Sequence, residues 1–192
     1  MRYIATAPDF ATAAELESFT KGQILLDDPR VAPALTAVTS SIRKEAGWHI
    51  GPVVLGHSVT LDGPGGRLLH LPTLNLQELV SVTELGVAVD LVGVSHDWSG
   101  LGMVEKRDGT FWTDRFRKIV VVMDHGFEDI ADLKFLTLSL AARGLASPLG
   151  ATREQAGSMS IQWGTPVPGV AGGLVPLPSE QRIMDRYRLV EG

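Results

Sequence analysis

The string MDHGFED at residues 123–129 comes nearest to catalytic chemistry in this sequence. Asp124 and His125 are adjacent, Glu128 and Asp129 follow closely, and such a set at a strand end could hold a metal ion or relay a proton. The same residues also suit a structural purpose. Gly126 would turn the chain, His125 would bond locally, and Glu128 and Asp129 would favour the positive end of a following helix. The structural reading is the stronger one, because nothing else in the sequence completes a site. His49, His57, His70 and His96 are scattered, and no H-x-x-x-H or H-E-x-x-H spacing places two imidazoles on one helix face. No metal and no cofactor is expected. The absence of cysteine removes thiolate ligands, a thiol nucleophile and any disulfide framework.

Other candidate strings give way to structural readings as well. DGPGGR at 62–67 resembles a phosphate-cradling loop only in its glycines; it lacks the G-x-x-x-x-G-K-[ST] pattern and precedes a strand, so it reads as a hairpin turn. No G-x-S-x-G elbow is present, and Ser99 in DWSGLG reads as a turn. Trp48, Trp98, Trp112 and Trp163 could form a stacking platform for sugars or bases, but falling one per element they fit core or interface anchors better. DRFRK at 114–118 is a small basic patch with one aromatic, consistent with a solvated strand edge. The sequence does not read as an enzyme.

The elements that would carry these residues follow from periodicity. DFATAAELESF predicts a short helix capped by Asp9. A second helix is expected from about Pro29 to Ala46, with Asp28 as cap and Gly47 as stop, because Val31, Leu35, Val38 and Ile42 recur at spacings of three and four. HSVTLDGPGGRLLHLPT then alternates around its glycines, predicting a hairpin with Val59 and Leu61 facing Leu69 and Leu71. Further strands are expected in LVSVTELG, VAVDLVG, GMVEKRDG and RKIVVVMDHG, five or six in all. EDIADLKFLTLSLAARGLAS returns to helical period, with Ile130, Leu133, Leu136, Thr137 and Leu140 on one stripe and Gly144 with Pro148 closing it. The two long helices are expected to pack together and carry the β-unit as a side domain.

Beyond Pro148, SMSIQWG predicts one strand, and TPVPGVAGGLVPLP reads as an extended linker. A last helix begins at Pro178, with Glu180 in its first turn, Ile183, Met184 and Tyr187 on one face, and Arg182, Arg186 and Arg188 elsewhere. The fold class expected is α+β: residues 1–47 as N-terminal helices of a small bundle, 48–126 as an inserted antiparallel β-domain, 127–150 as a further bundle helix, and 151–192 as an extended C-terminal arm ending in a short helix.

Bulk properties bound the function. The chain has 192 residues, 44% of them apolar, and a net charge of −5. That charge argues against broad gripping of nucleic-acid phosphates. No apolar run approaches the roughly 20 residues of a membrane span, and the opening MRYIATAPDF lacks an apolar signal region.

Taken in order, AGWHIGPVV, VTLDGPGGRLLHLPTLNL, SVTELG, VVVMDHGFED, LSLAARGLASPLG and LPSEQRIMDRYR resemble the head-to-tail adaptor (head-tail connector) proteins of long-tailed phages, particularly those of actinobacterial hosts. The resemblance runs from about Ile42 to Tyr187; one departure is Leu177, where related tails often carry Ser or Thr. It implies a structural virion protein assembled in the host cytoplasm: a dodecameric ring in the neck, beneath the portal protein, receiving the stopper on its other side and continuing the channel through which genomic DNA passes without specific binding. It also implies a portal-binding arm, here Leu174, Leu177, Pro178, Ile183, Met184, Tyr187 and Arg188. A stopper or tail-terminator ring is the near alternative. A carbohydrate-binding tail module using Trp98 and Trp112, and a metal-dependent hydrolase centred on Asp124, His125 and Glu128, are the distant ones.

Overall fold

The computed structural model describes residues 7–91, 95–146, 153–156, 159–162 and 176–189. In chain order the elements are α1 (Ala13–Phe19), α2 (Val31–Ala46), β1 (Val54–Leu61), β2 (Leu68–His70), β3 (Leu76–Glu84), β4 (Val87–Ala88), β5 (His96–Ser99), β6 (Met103–Lys106), β7 (Ile119–His125), α3 (Ala131–Ala146), β8 (Arg153–Ala156), β9 (Met159–Gln162) and α4 (Pro178–Asp185). This is an α+β fold. It divides into two compact units: Pro8–Glu45 with Ile130–Arg188, and Ala46–Asp129 with Leu189.

In the first unit, helix α1 begins later than its composition suggests and is capped by Thr12. Its hydroxyl accepts from the Glu15 N–H, and the Glu15 carboxylate accepts from the Thr12 N–H at 2.8 Å, a reciprocal pair that satisfies two otherwise orphaned donors. Asp9, the expected cap, instead accepts from the Thr36 hydroxyl at 2.7 Å. Helix α2 is regular from Val31, and the Asp28 carboxylate accepts from the Arg30 N–H two residues on, as a capping carboxylate does, while also pairing with the Arg30 guanidinium. Val31, Leu35, Val38 and Ile42 are all buried, as their spacing predicts. Gly47, at φ +81°, ends the helix in the left-handed region that other residues avoid. In α3 the stripe Ile130, Leu133, Leu136, Thr137 and Leu140 is buried too. The helix continues through Gly144 to Ala146. Glycine costs about 1 kcal/mol inside a helix, and burial of Leu145 one residue later offsets it.

The second unit is built on two antiparallel sheets, ordered β1-β7-β3-β4 and β2-β6-β5. The expected hairpin does not form: β1 pairs with β7, and β2 pairs with β6. The cause lies in β7, whose Ile119, Val121, Met123 and His125 are buried while the residues between them are half-covered. A strand this apolar is most stable with a partner on each side, so it takes the centre between β1 and β3. The glycine loop at 62–66 bonds elsewhere, with the Gly63 N–H donating to Arg115 O, Gly65 N–H to Thr113 O and Trp112 N–H to Gly66 O. Both sheets feed one core, in which Leu69 and Val104 meet Leu79, Val82, Ile119, Val121, Met123 and Trp112.

A buried polar node braces this core. The Lys106 ammonium lies 2.6 Å from a Glu84 oxygen and 4.4 Å from the centre of the Trp112 ring, while the other Glu84 oxygen accepts from the Thr113 N–H. Among the described residues this unit holds seven strands, counting β5, whose residues the sequence suggests as part of a turn. In the first unit, the strand expected in SMSIQWG is β9, and it pairs antiparallel with β8. Trp163, Leu174 and Pro148 lie outside the described residues.

Candidate functional site

The enzyme-like string resolves into a structural node of the β-unit. The bulged pairing of β1 with β7 brings His57 against His125: the two rings are stacked 5.0 Å apart, with Nδ1 of His57 2.8 Å from Nε2 of His125, so that the pair shares one proton. His49 packs edge-on to the same ring at 5.7 Å, and Trp48 stacks on it at 6.3 Å. Histidines scattered in sequence are thus clustered in space, which no helix-type spacing could reveal. Burial, reinforced by His57 and His49, drives the His125 pKa down to about 3, and burial lowers that of His57 as well. The surrounding backbone closes tightly. His49 bonds the Pro52 carbonyl, Phe127 N–H donates to Ile50 O at 2.7 Å, and the Asn75 amide donates to Gly126 O at 2.7 Å. Asp124 accepts from the Gly56 N–H across the bulge. Among the described residues, no group of three or more His, Asp or Glu is arranged to hold a metal ion.

The tryptophans split. Trp48 and Trp112 are buried in the β-unit, whereas Trp98 on β5 is partly exposed. A sugar platform built from Trp98 and Trp112 therefore loses one of its two members, because a ring with 1% exposure cannot stack on a ligand. DRFRK lies on the surface, with Phe116 79% exposed.

The C-terminal residues form the better candidate. Helix α4 begins at Pro178, and although Leu177 has no side-chain acceptor, the Glu180 carboxylate reaches back to the Leu177 N–H at 2.7 Å and supplies half of a capping box. The same carboxylate receives two guanidinium bonds from Arg143 on α3, at 2.9 and 2.8 Å. The Tyr187 hydroxyl donates to Asp132, at the start of α3. Met184 is buried, Leu177, Ile183 and Tyr187 are half-buried, and Pro178 and Arg188 are exposed, with Arg188 3.5 Å from Glu45. The apolar stripe thus lies against the helical unit of its own chain, pinned at both ends by polar contacts to α3. The sequence shows the stripe; it carries no signal that Arg143 and Asp132 would receive it.

Arg143→Ala is expected to loosen α4 by about 1–2 kcal/mol, since a half-buried Glu180 loses its bidentate partner. Tryptic cleavage after Arg182, Arg186 and Arg188 should accelerate about tenfold while α3 stays protected; an unchanged rate would show that the pair does not hold the helix.

No family model matches the sequence, and no curated protein is significantly similar to it. The fold, however, is similar to solved structures. One is described as the neck of a native GTA particle computed with C12 symmetry, with TM-score 0.59 and 13% identity, covering 100% of this chain and 96% of that chain. A second, the neck of an empty GTA particle computed with C6 symmetry, gives 0.59 and 14% with the same coverage. A third, the virion of a native gene transfer agent (GTA) particle, gives 0.57 and 13%, again with the same coverage. At these identities the likeness is one of fold.

Proposed function

We propose that the chain is a structural, non-catalytic adaptor in the neck of a phage-like particle, specifically of a long-tailed phage of an actinobacterial host. The observation that carries this reading is the fold shared over the whole chain with components of GTA neck structures. In this reading the copies form a dodecameric ring beneath the portal protein, receive the stopper on the opposite side, and continue the channel for DNA. The C12 symmetry of one of the similar necks supports a ring of that order. The net charge of −5 suits a wall past which phosphates slide without being held.

The C-terminal arm is the portal-binding element of this proposal. Leu174, Leu177, Pro178, Ile183, Met184, Tyr187 and Arg188 dock into a groove on the portal, in the manner of an amphipathic helix laid into an apolar cleft. Leaving α3 costs free energy in each copy, and repetition around the ring offsets it, because one docked arm raises the effective concentration of the others.

Mass photometry of the full chain mixed with its portal protein, against a chain ended at Gly173 and against Ile183→Asp/Tyr187→Asp, tests both parts. A ring-sized multiple bound to the portal is expected only for the full wild-type chain. A full chain that ignores the portal overturns the adaptor reading, whereas wild-type binding by the shortened or doubly substituted chain overturns the arm alone.

A further inference from the structure

Two β-elements are incomplete in the single chain. The first is the ribbon of β8 and β9, which pair antiparallel with each other and with neither larger sheet among the described residues. A two-stranded ribbon standing alone is marginally stable in water, and a third strand makes it durable. Strand β9, Met159–Gln162, alternates apolar and polar residues and carries no charge, whereas β8 bears Arg153 and Glu154. The free edge of β9 is therefore the one suited to a further strand.

The second is β1, an edge of the four-stranded sheet. Sheet edges are ordinarily blunted by shortness, charge, proline or a bulge. The other edges of the β-unit follow that rule: β4 has two residues, β2 has three, and β5 carries Asp97, paired with Arg107 at 2.8 Å. Strand β1 has eight residues, with no proline and no Asp, Glu, Lys or Arg. Its bulge, where Gly56 sits at φ +63°, interrupts the pairing between Val54 and His57 and leaves Ser58–Leu61 in unbroken register with β7. Over those four residues Ser58 and Thr60 are exposed, while Val59 and Leu61 are only half-buried against the core of the β-unit.

We infer that β9 of a second copy of the chain adds to the outer edge of β1 at Ser58–Leu61, running antiparallel to it. The two segments match in length and in pattern. Laid antiparallel, Ser58, Val59, Thr60 and Leu61 stand opposite Gln162, Ile161, Ser160 and Met159, polar against polar and apolar against apolar at all four positions. A parallel alignment of the same four residues sets every polar residue against an apolar one, and alternation of this kind is what fixes register. Met159 and Ile161 thereby extend the half-covered layer of Val59 and Leu61, and main-chain bonds supply the affinity. One contact completes both elements. It joins different surfaces of the two copies, so it is heterologous, the kind that closes into a ring when the rotation allows. The inference deepens the ring reading above and rests on it, while naming the strands that meet.

Because the chain contains no cysteine, each single substitution introduces one thiol. Thr60→Cys and Ser160→Cys proteins with different tags, mixed and gently oxidised, are expected to yield the mixed disulfide in large excess over same-variant dimers. Statistical proportions of the three dimers, or no cross-link at all, would overturn the assignment. An internal disulfide in the chain carrying both substitutions, seen as a faster-migrating monomer in place of a ladder of linked copies, would overturn the second copy as the occupant. Independently, Ile161→Lys and Thr60→Lys should each weaken self-association about tenfold or more in mass photometry, with and without the portal protein, while the melting temperature stays at the wild-type value. Rings of undiminished stability in either variant overturn the strand contact and leave the adaptor reading standing; a wild-type chain that ignores the portal defeats that reading, while the cross-linking result still decides the strand contact.

Discussion

Gly63→Ala is expected to destabilise the β-unit by about 3 kcal/mol, lowering its melting temperature by about 15 °C. A Cβ at this position would lie 1.9 Å from the Thr113 carbonyl oxygen and 2.6 Å from its carbon. The obstructing atoms are backbone, so no rotamer change relieves the overlap, and the 111–118 segment itself must move. That segment is held in place: Thr113 O accepts from Gly65 N–H, and Thr113 N–H donates to Glu84, the partner of buried Lys106. Displacement would therefore spread to the Lys106 and Trp112 node. Gly66 in the same loop is the control, since a Cβ there meets nothing within 4 Å, and Gly66→Ala should stay within about 0.5 kcal/mol of wild type. Thermal unfolding of the two variants checks the argument; equal melting temperatures would mean that the 62–66 loop does not support the 111–118 segment.

The second large effect is a loss of stability in mild acid. An unfolded histidine titrates near 6.5, whereas burial first and the neighbouring His57 and His49 next hold His125 at about 3. The folded state therefore resists a proton that the unfolded chain accepts. The stabilisation is complete above pH 6.5 and is lost progressively as pH falls from there towards 3. Most carboxylates begin to titrate only below about pH 5, so the interval from 6.5 to 5 reads the histidines. The groups facing His125 within the β-unit are His57, His49 and Trp48, with Asp124 turned to the Gly56 N–H. The melting temperature should be level from pH 8 to 7 and fall between 6.5 and 5. His125→Phe, which keeps the aromatic stack, should flatten that slope, whereas exposed His70→Gln should not. Identical slopes in wild type and His125→Phe would remove the node as the cause.

Both effects arise from contacts between segments far apart in sequence, and the same distinction runs through the whole molecule. Helix periodicity identified the buried stripes of α2 and α3 residue by residue, because spacings of three and four fix which side chains share a face whatever lies opposite. Pro178 marked the start of α4, since proline lacks only a donor that the first helical turn leaves unused. The β-unit was legible as strands but not as pairs. Alternation shows which residues face inward; it does not choose a partner, and β1 found β7 because that strand was apolar enough to need covering on both edges.

The caps divide along the same line. Thr12 with Glu15 is a local pattern open to reading, yet Asp9 drew attention first and turned out to be occupied by Thr36 from the next helix. The candidate sites depended still more on tertiary structure. The sequence alone determined that the C-terminus carries an amphipathic helix with an apolar stripe, that no cysteine chemistry is available, and that the charge balance is acidic. Only the tertiary structure decided that the stripe lies against α3 between Arg143 and Asp132, that His49, His57 and His125 form one cluster, and that Phe116 is held out from the surface. The physical reason is common to all three. Local patterns follow from backbone geometry within a few residues, whereas burial, charge pairing and exposure depend on which distant segment arrives, a matter settled by the packing of the entire chain.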